Sequence, residues 1–446
     1  MSLRCPDVRS PVVKTRQPNS RAQPGARIHS RDIRLRELKL LPRRLIKKHR
    51  PLIALVTGSN GKTTTTNMIA KIMAENGHVV GRSITEGIFF GDTPVWRGDA
   101  SGYKGAGWVL TEPGVTAAAL ETARGDLLNR GLYMKSADVA AMTNIQAEHI
   151  GERGINTLEQ MAAVKRQALD VAKRAVVLSA DDPTCLQVAS TFQTEKTILF
   201  TMDASCIQVL ERVENGGRVV ALEGTPDTGR IVLMSGQDIT PIMEVRDIPA
   251  ARKGLLAINI ANAMAAAGLA IGLGISLDVI ARGLTAFDSA ASDNPGRFTL
   301  VETRSLPILV NYGSNPAAMR TTLPAIDAMP QTGTRFCLLT APDNRPDEHF
   351  QNMIQVVAGH FDWYVLFELP KFVRRRNPGW VPAELARHLR ASGMPDQRII
   401  LPGGLNPALR FVFEQSSSAD LGVLFGATMY EFEKTLSEID APRAGK

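Results

Sequence analysis

Leu52-Ile-Ala-Leu-Val-Thr-Gly-Ser-Asn-Gly-Lys-Thr-Thr64 sets an apolar run against a glycine-lysine-threonine turn, with a helical pattern after it. It reads as strand, phosphate loop and helix. Gly58 and Gly61 free the backbone to approach an anion, the N–H groups of the turn and helix start point at it, and Lys62 adds a full positive charge. Thr63 is then placed to hold a magnesium ion. The general phosphate-loop pattern expects a glycine where Val56 stands, whereas the shorter form Thr-Gly-x-Asn-Gly-Lys-Thr fits every residue, with Asn60 inside it and Thr64 next to it.

Working outward, 446 residues exceed one ordinary core and predict two or three domains. Cys5, Cys185, Cys206 and Cys337 have no paired spacing, which argues against a disulfide framework or a zinc site and fits a reducing cytoplasm. The N-terminus lacks the apolar centre of a signal peptide. The most apolar later stretch, Leu255 to Ile275, carries Asn259 and Asn262 and reads as a buried helix, with no membrane span.

Charge is unevenly placed. Residues 1–50 hold fifteen Lys or Arg against Asp7, Asp32 and Glu37, so this segment carries +12 of a net +8 and the other 396 residues carry −4. Its first thirty residues are rich in Pro, Ser and Arg, a composition that cannot repay the entropy of ordering. Short basic helical pieces over 31–48 would break at Pro42. The segment reads as a solvated tail or as an arm for a polyanion, with no specific nucleic acid indicated.

Beyond the loop, helical spacing through Met68, Ile69, Ile72 and Met73 ends at Gly77. Trp108-Val-Leu-Thr, Ala118-Ala-Leu-Glu-Thr and Val139-Ala-Ala-Met-Thr-Asn144 read as strands. Glu121 and His149 follow two of them, at the ends where parallel sheets place their ligands, and are expected to form a second metal site. Thr157-Leu-Glu-Gln160 is a capping box. The helix it opens has an apolar stripe through Leu158, Met161, Ala162, Ala168, Leu169 and Ala172, and Lys165 falls on that stripe. Such an amine either lies at the stripe's edge or needs a charge partner or a lowered pKa, and when neutral it can take up carbon dioxide as a metal-binding carbamate.

Val56-Thr-Gly-Ser-Asn-Gly-Lys-Thr-Thr-Thr-Thr66, Thr85-Glu-Gly-Ile-Phe89, Leu120-Glu-Thr-Ala-Arg-Gly125, Thr143-Asn-Ile-x-x-Glu-His-Ile-Gly151, Leu178-x-Ala-Asp-Asp-Pro183 and Pro295-Gly-Arg-Phe298 together resemble the Mur ligase family, in the form of the module of cyanophycin synthetases. The likeness covers residues 45–446. It implies that ATP phosphates and Mg2+ meet Lys62 and Thr63, that Thr85, Glu121, His149 and a carbamylated Lys165 surround magnesium, that Asn262 reads adenine, and that Arg297 binds phosphate. Where the family has Asp-Tyr-Ala-His-Asn-Pro, this chain has Asn311-Tyr-Gly-Ser-Asn-Pro316, so Asn311 takes a nucleotide-facing position without the carboxylate. Pro342-Asp-Asn-Arg-Pro-Asp-Glu348 is similar to the family's Gly-Asp-Arg loop.

After Arg297 five strand patterns alternate with five helical ones, which argues a doubly wound sheet. Residues 204–245 read as a β-insertion. The expected fold is α/β: a basic extension over 1–50, a central phosphate-loop ATPase domain with a parallel sheet over 51–297, and a Rossmann-like C-terminal domain over 298–446. The resemblance implies a ligase joining a carboxylate of an amino acid or short peptide to an amine through an acyl phosphate. Three readings stay open: that ligase, a degenerate regulatory or binding subunit motivated by Asn311 and Ser314, and an activator partnered with a glutaminase. The ATP-grasp module of cyanophycin synthetases has no counterpart here, so acceptor recognition is expected from other residues or from a separate protein, and an oligomer stays open.

Overall fold

A computed structural model of the protein describes residues 50–147, 150–330 and 333–440. The chain opens with β1 (Leu52–Thr57), α1 (Lys62–Glu75), β2 (Val80–Ile84), β3 (Gly87–Phe90), β4 (Thr93–Arg97), α2 (Tyr103–Thr111), β5 (Ala117–Glu121), α3 (Arg124–Asn129) and β6 (Ala137–Met142). It continues through α4 (Leu158–Asp170), β7 (Ala172–Ser179), α5 (Pro183–Ala189), β8 (Thr197–Thr201), α6 (Ile207–Glu214), β9 (Arg218–Glu223), β10 (Arg230–Ser235), β11 (Asp238–Glu244), α7 (Ala257–Leu273) and α8 (Leu277–Thr285). These strands form one sheet in the order β11-β10-β9-β8-β7-β6-β1-β5-β2-β3-β4. From β9 to β2 all pairings are parallel, and an antiparallel pair of strands finishes each edge.

Fully apolar strand runs are buried on both faces, as a parallel sheet demands. Ala54 and Val56 of β1 pack toward α1, α7 and α8, while Ile53 and Leu55 belong to the opposite core. Register then places the site: Val56 lies beside Glu121 and Thr57 beside Met142, so β1, β5 and β6 release their chains at one level.

The second sheet is built from β12 (Thr299–Val301), β13 (Ile308–Asn311), α9 (Pro316–Asp327), β14 (Arg335–Leu339), α10 (Asp347–Val357), β15 (Trp363–Glu368), α11 (Trp380–Ala391), β16 (Ile399–Gly404), α12 (Leu405–Gln415), β17 (Leu421–Phe425) and α13 (Met429–Asp440). Its order is β12-β13-β17-β14-β15-β16, parallel except at β12. Hydrophobic cores cover both faces, the doubly wound arrangement expected from the alternation.

Two local expectations are corrected. Trp108-Val-Leu-Thr lies in α2 and forms no strand: Ala106, Val109 and Leu110 recur at helical spacing and are buried on one side. The β-rich stretch 204–245 begins with a helix, α6, and its strands β9 to β11 extend the first sheet by hydrogen bonding. The buried helix expected near 255–275 is α7, closed by Gly274 at φ 83°.

Candidate functional site

The loops after β1, β5 and β6 face those after β13, β14 and β15 across a cleft of about 640 Å³. Gly58 and Gly61 shape the phosphate loop in a way the sequence does not reveal. A Cβ on Gly58, at φ 145°, would overlap Thr143 Oγ1, and one on Gly61, at φ 83°, would overlap Asn262 Oδ1. Both glycines therefore let the loop lie against protein groups beneath it.

Asn60 is fixed from several sides: its N–H donates to Asn144 Oδ1 at 2.9 Å, and its carbonyl accepts from Thr143 Oγ1 at 2.6 Å. No side chain caps α1, whose first-turn N–H groups have no partner within the helix. Lys62 Nζ folds back to the Ser59 carbonyl at 2.8 Å. Thr64 is buried, its hydroxyl accepting from Asn294 Nδ2 at 3.2 Å.

Glu121, buried at the end of β5, gathers the next group of site residues. Its Oε2 accepts from Thr63 Oγ1 at 2.9 Å and from the Thr85 N–H at 3.0 Å, and its Oε1 accepts from Thr85 Oγ1 at 2.9 Å. Arg297, at the entrance to the second sheet, donates from NH2 to the same Thr63 oxygen at 3.1 Å. Its guanidinium lies over the Tyr312 ring, 4.6 Å from the centroid. Glu86 sits behind it, 3.5 Å from Arg297 NH1. Burial, partly offset by Arg297 and Lys371, pushes the Glu86 carboxyl up to about 7.

Lys165 reaches the loop from α4. Its side chain is buried, and Nζ donates to the Gly58 carbonyl at 2.6 Å. The stripe thus points it inward, onto the phosphate loop. His149 lies outside the described residues. Among the described residues no group of three His, Cys, Asp or Glu side chains is close enough to hold a metal ion.

Asn262 is buried under the loop, accepting from Thr65 Oγ1 at 3.3 Å and donating to Asn259 Oδ1 at 3.1 Å. Asn311 turns its amide inward to Thr322 Oγ1 at 3.4 Å. The neighbouring Asn315 crosses the cleft to Asn60 Oδ1 at 2.9 Å while its own Oδ1 caps α9.

Asp343, in sequence only part of a loop resembling Gly-Asp-Arg, has a role that the motif does not disclose. Its buried Oδ2 accepts the consecutive N–H groups of Arg374, Arg375 and Arg376 at 2.7, 2.7 and 2.8 Å. Burial opposes ionisation of this carboxyl, but the three donors outweigh it and hold its pKa below the usual carboxylate range. The arginine run is therefore a fixed loop on the cleft wall, a property its spacing alone does not carry.

Residues 56–270 match the Mur ligase middle domain. The chain is homologous to the cyanophycin synthetases. It is 33% identical over 322 residues to that of Geminocystis herdmanii (strain PCC 6308), covering 71% of this chain and 36% of the relative. To that of Crocosphaera subtropica (strain ATCC 51142 / BH68) it is 34% identical over 316 residues, covering 70% and 35%. The chain thus spans 36% and 35% of the length of these relatives. Among solved structures it is similar to a bifunctional folylpolyglutamate synthase/dihydrofolate synthase with Mn, AMPPNP and L-glutamate bound, with a TM-score of 0.63 and 18% identity over 88% of this chain and 91% of that one. It is also similar to MurF from Acinetobacter baumannii, with a TM-score of 0.59 and 17% identity over 89% and 78%. These likenesses establish a shared fold. No helix among the described residues is long and apolar enough to cross a membrane.

Proposed function

We propose that the protein is an ATP-dependent ligase joining an amino-acid or peptide carboxylate to an amine. One observation carries the reading: Thr63 Oγ1, at the uncapped start of α1, is shared by Glu121 of the first sheet and Arg297 ahead of the second. Such a meeting suits a reaction that needs the two halves together over a polyphosphate.

The donor set fits the nucleotide and magnesium. Free first-turn N–H groups and Lys62 suit phosphate oxygens, and a hydroxyl beside a carboxylate suits a hard cation that takes oxygen ligands. Thr63, Thr85 and Glu121 would hold the metal, with His149 and a carbamylated Lys165 as further ligands. Bound there, magnesium supplies charge neutralisation on the transferring phosphoryl group.

In this reading an acceptor carboxylate oxygen attacks the γ-phosphorus and ADP leaves; an amine nitrogen then attacks the acyl carbon, phosphate leaves and the amine's proton passes to solvent. Lys62 and the loop N–H groups stabilise the transferring charge, and Arg297 orients the phosphate from the opposite wall. Asn262 supports the loop from below through Thr65 and, in this reading, would contact adenine. A cytoplasmic location and a separate acceptor-binding protein accompany this proposal.

The test incubates purified protein with ATP, Mg2+ and pairs of proteinogenic amino acids or aspartate- and arginine-containing dipeptides, reading phosphate release and product mass. Ligated product from the wild type and none from Lys62→Ala is the expected result. Product that forms only with a sugar nucleotide or a nucleic acid overturns the substrate assignment. A second reading, a non-catalytic regulatory subunit, is favoured by Asn311, whose amide is committed to Thr322; nucleotide binding without turnover under any pairing would establish it.

A further inference from the structure

The turn after β6 carries a carboxylate to which no role has been given. Gly151 and Gly154 take φ values of 84° and 79°, and Glu152 pairs with Ile155 in a short antiparallel bridge that fixes the backbone between them. The Glu152 side chain is 9% exposed. Its Oε2 accepts from Arg124 NH2 at 2.9 Å. Its Oε1 accepts from Arg345 NH1 and from Asn344 Nδ2, each at 3.0 Å.

These partners come from opposite sides of the cleft. Arg124 starts α3, just beyond Glu121 in the chain, whereas Asn344 and Arg345 follow β14 in the second sheet. The two guanidiniums are as sheltered as the carboxylate, with side-chain exposures of 9% for Arg124 and 12% for Arg345. A pair this enclosed is not the screened surface contact that contributes little: removing one partner strands charge in a poorly solvated place. A carboxylate shared between two bodies also acts only when they are docked, so its free energy biases the docked state over the open one.

We propose that Glu152 is a positioning residue that docks the loop after β14 onto the first sheet and holds Arg124 and Arg345 together on the cleft wall. The docking stands on these contacts alone; that the docked state is the one that turns over rests on the ligase reading. The pair of arginines then presents positive charge to an anionic acceptor only when the cleft is assembled.

Hydrogen exchange read by mass spectrometry on the full-length chain tests this without nucleotide. In Glu152→Gln, peptides covering 122–126 and 342–346 are expected to exchange about fivefold faster or more, the size of an ordinary coupling between sites. Arg345→Ala should accelerate 122–126 on the far side of the cleft, because coupling is reciprocal. The double variant should be no faster than the faster single one, since both remove the same contact. Arg345 lies in a loop, so its variant keeps the test open even where Glu152→Gln folds poorly. Unchanged exchange at 122–126 in Arg345→Ala, or additive effects in the double variant, overturns the proposal. Failure of the ligase reading shows separately, as absence of product from the wild type while these exchange rates keep their pattern.

Discussion

An ammonium taken out of water costs several kcal/mol unless something receives it. Lys165 is received by the Gly58 carbonyl, so the loop that would hold phosphate is also what makes this buried amine tolerable. As a carbamate the group would take up carbon dioxide at the neutral amine and lose a proton, keeping one N–H for Gly58 and adding two oxygens to a side chain that lines the cleft. Lys165→Ala is then expected to lose about tenfold or more in turnover, as ligand-orienting groups do. Added formate or acetate should restore part of it by supplying the missing oxygens. Full activity in Lys165→Arg, with no rescue of the alanine variant, would show that only a cation is needed. The stripe left two positions open for Lys165, its edge or the interior, and the structure takes the buried one. Its partner was not legible, because Gly58 is 107 residues away and no periodicity reports such a distance.

Elements were legible where a local rule fixed them. Thr157 caps α4, accepting the Gln160 N–H at 3.3 Å as the capping box requires. Because α4 carries Lys165, this cap both starts the helix and sets the lysine's height against the loop. Thr157→Ala should cost about 1 kcal/mol, the usual worth of an N-cap. It should appear as a lower urea midpoint at unchanged slope, and a changed slope would instead signal a broken two-state transition. Where local rules competed, the reading failed: Trp108-Val-Leu-Thr has the composition of a strand, but the buried Ala106, Val109 and Leu110 make it one face of a helix. Composition over four residues cannot separate those periods, whereas a window of nine does.

At the scale of the molecule, the two sheets were visible as two sets of alternating patterns, while the bonds that join them were not. Arg297 meets Thr63 across 234 residues, Asn315 meets Asn60 across 255, and Arg345 meets Glu152 across 193. The motifs single out Asn60, Thr63 and Arg297, but nothing in a motif pairs one residue with another across such separations. What the sequence does display at this scale is charge, with fifteen Lys or Arg in the first fifty residues against a body of −4. Arg374 and Arg375 add exposed positive charge at the cleft, on a backbone that Asp343 holds fixed. A basic segment and a basic cleft wall on one chain together suit an acidic polymer, captured by long-range attraction before any specific contact forms. Removal of residues 1–49 should therefore weaken binding of labelled poly-aspartate, followed by fluorescence anisotropy, most strongly at low salt. The difference should fade toward 1 M salt, where charges are screened beyond about 3 Å. Melting temperature should be unchanged, since among the described residues both sheets have complete cores of their own. Equal affinity of the two proteins at every salt concentration would make the segment a bystander and leave capture to the cleft alone.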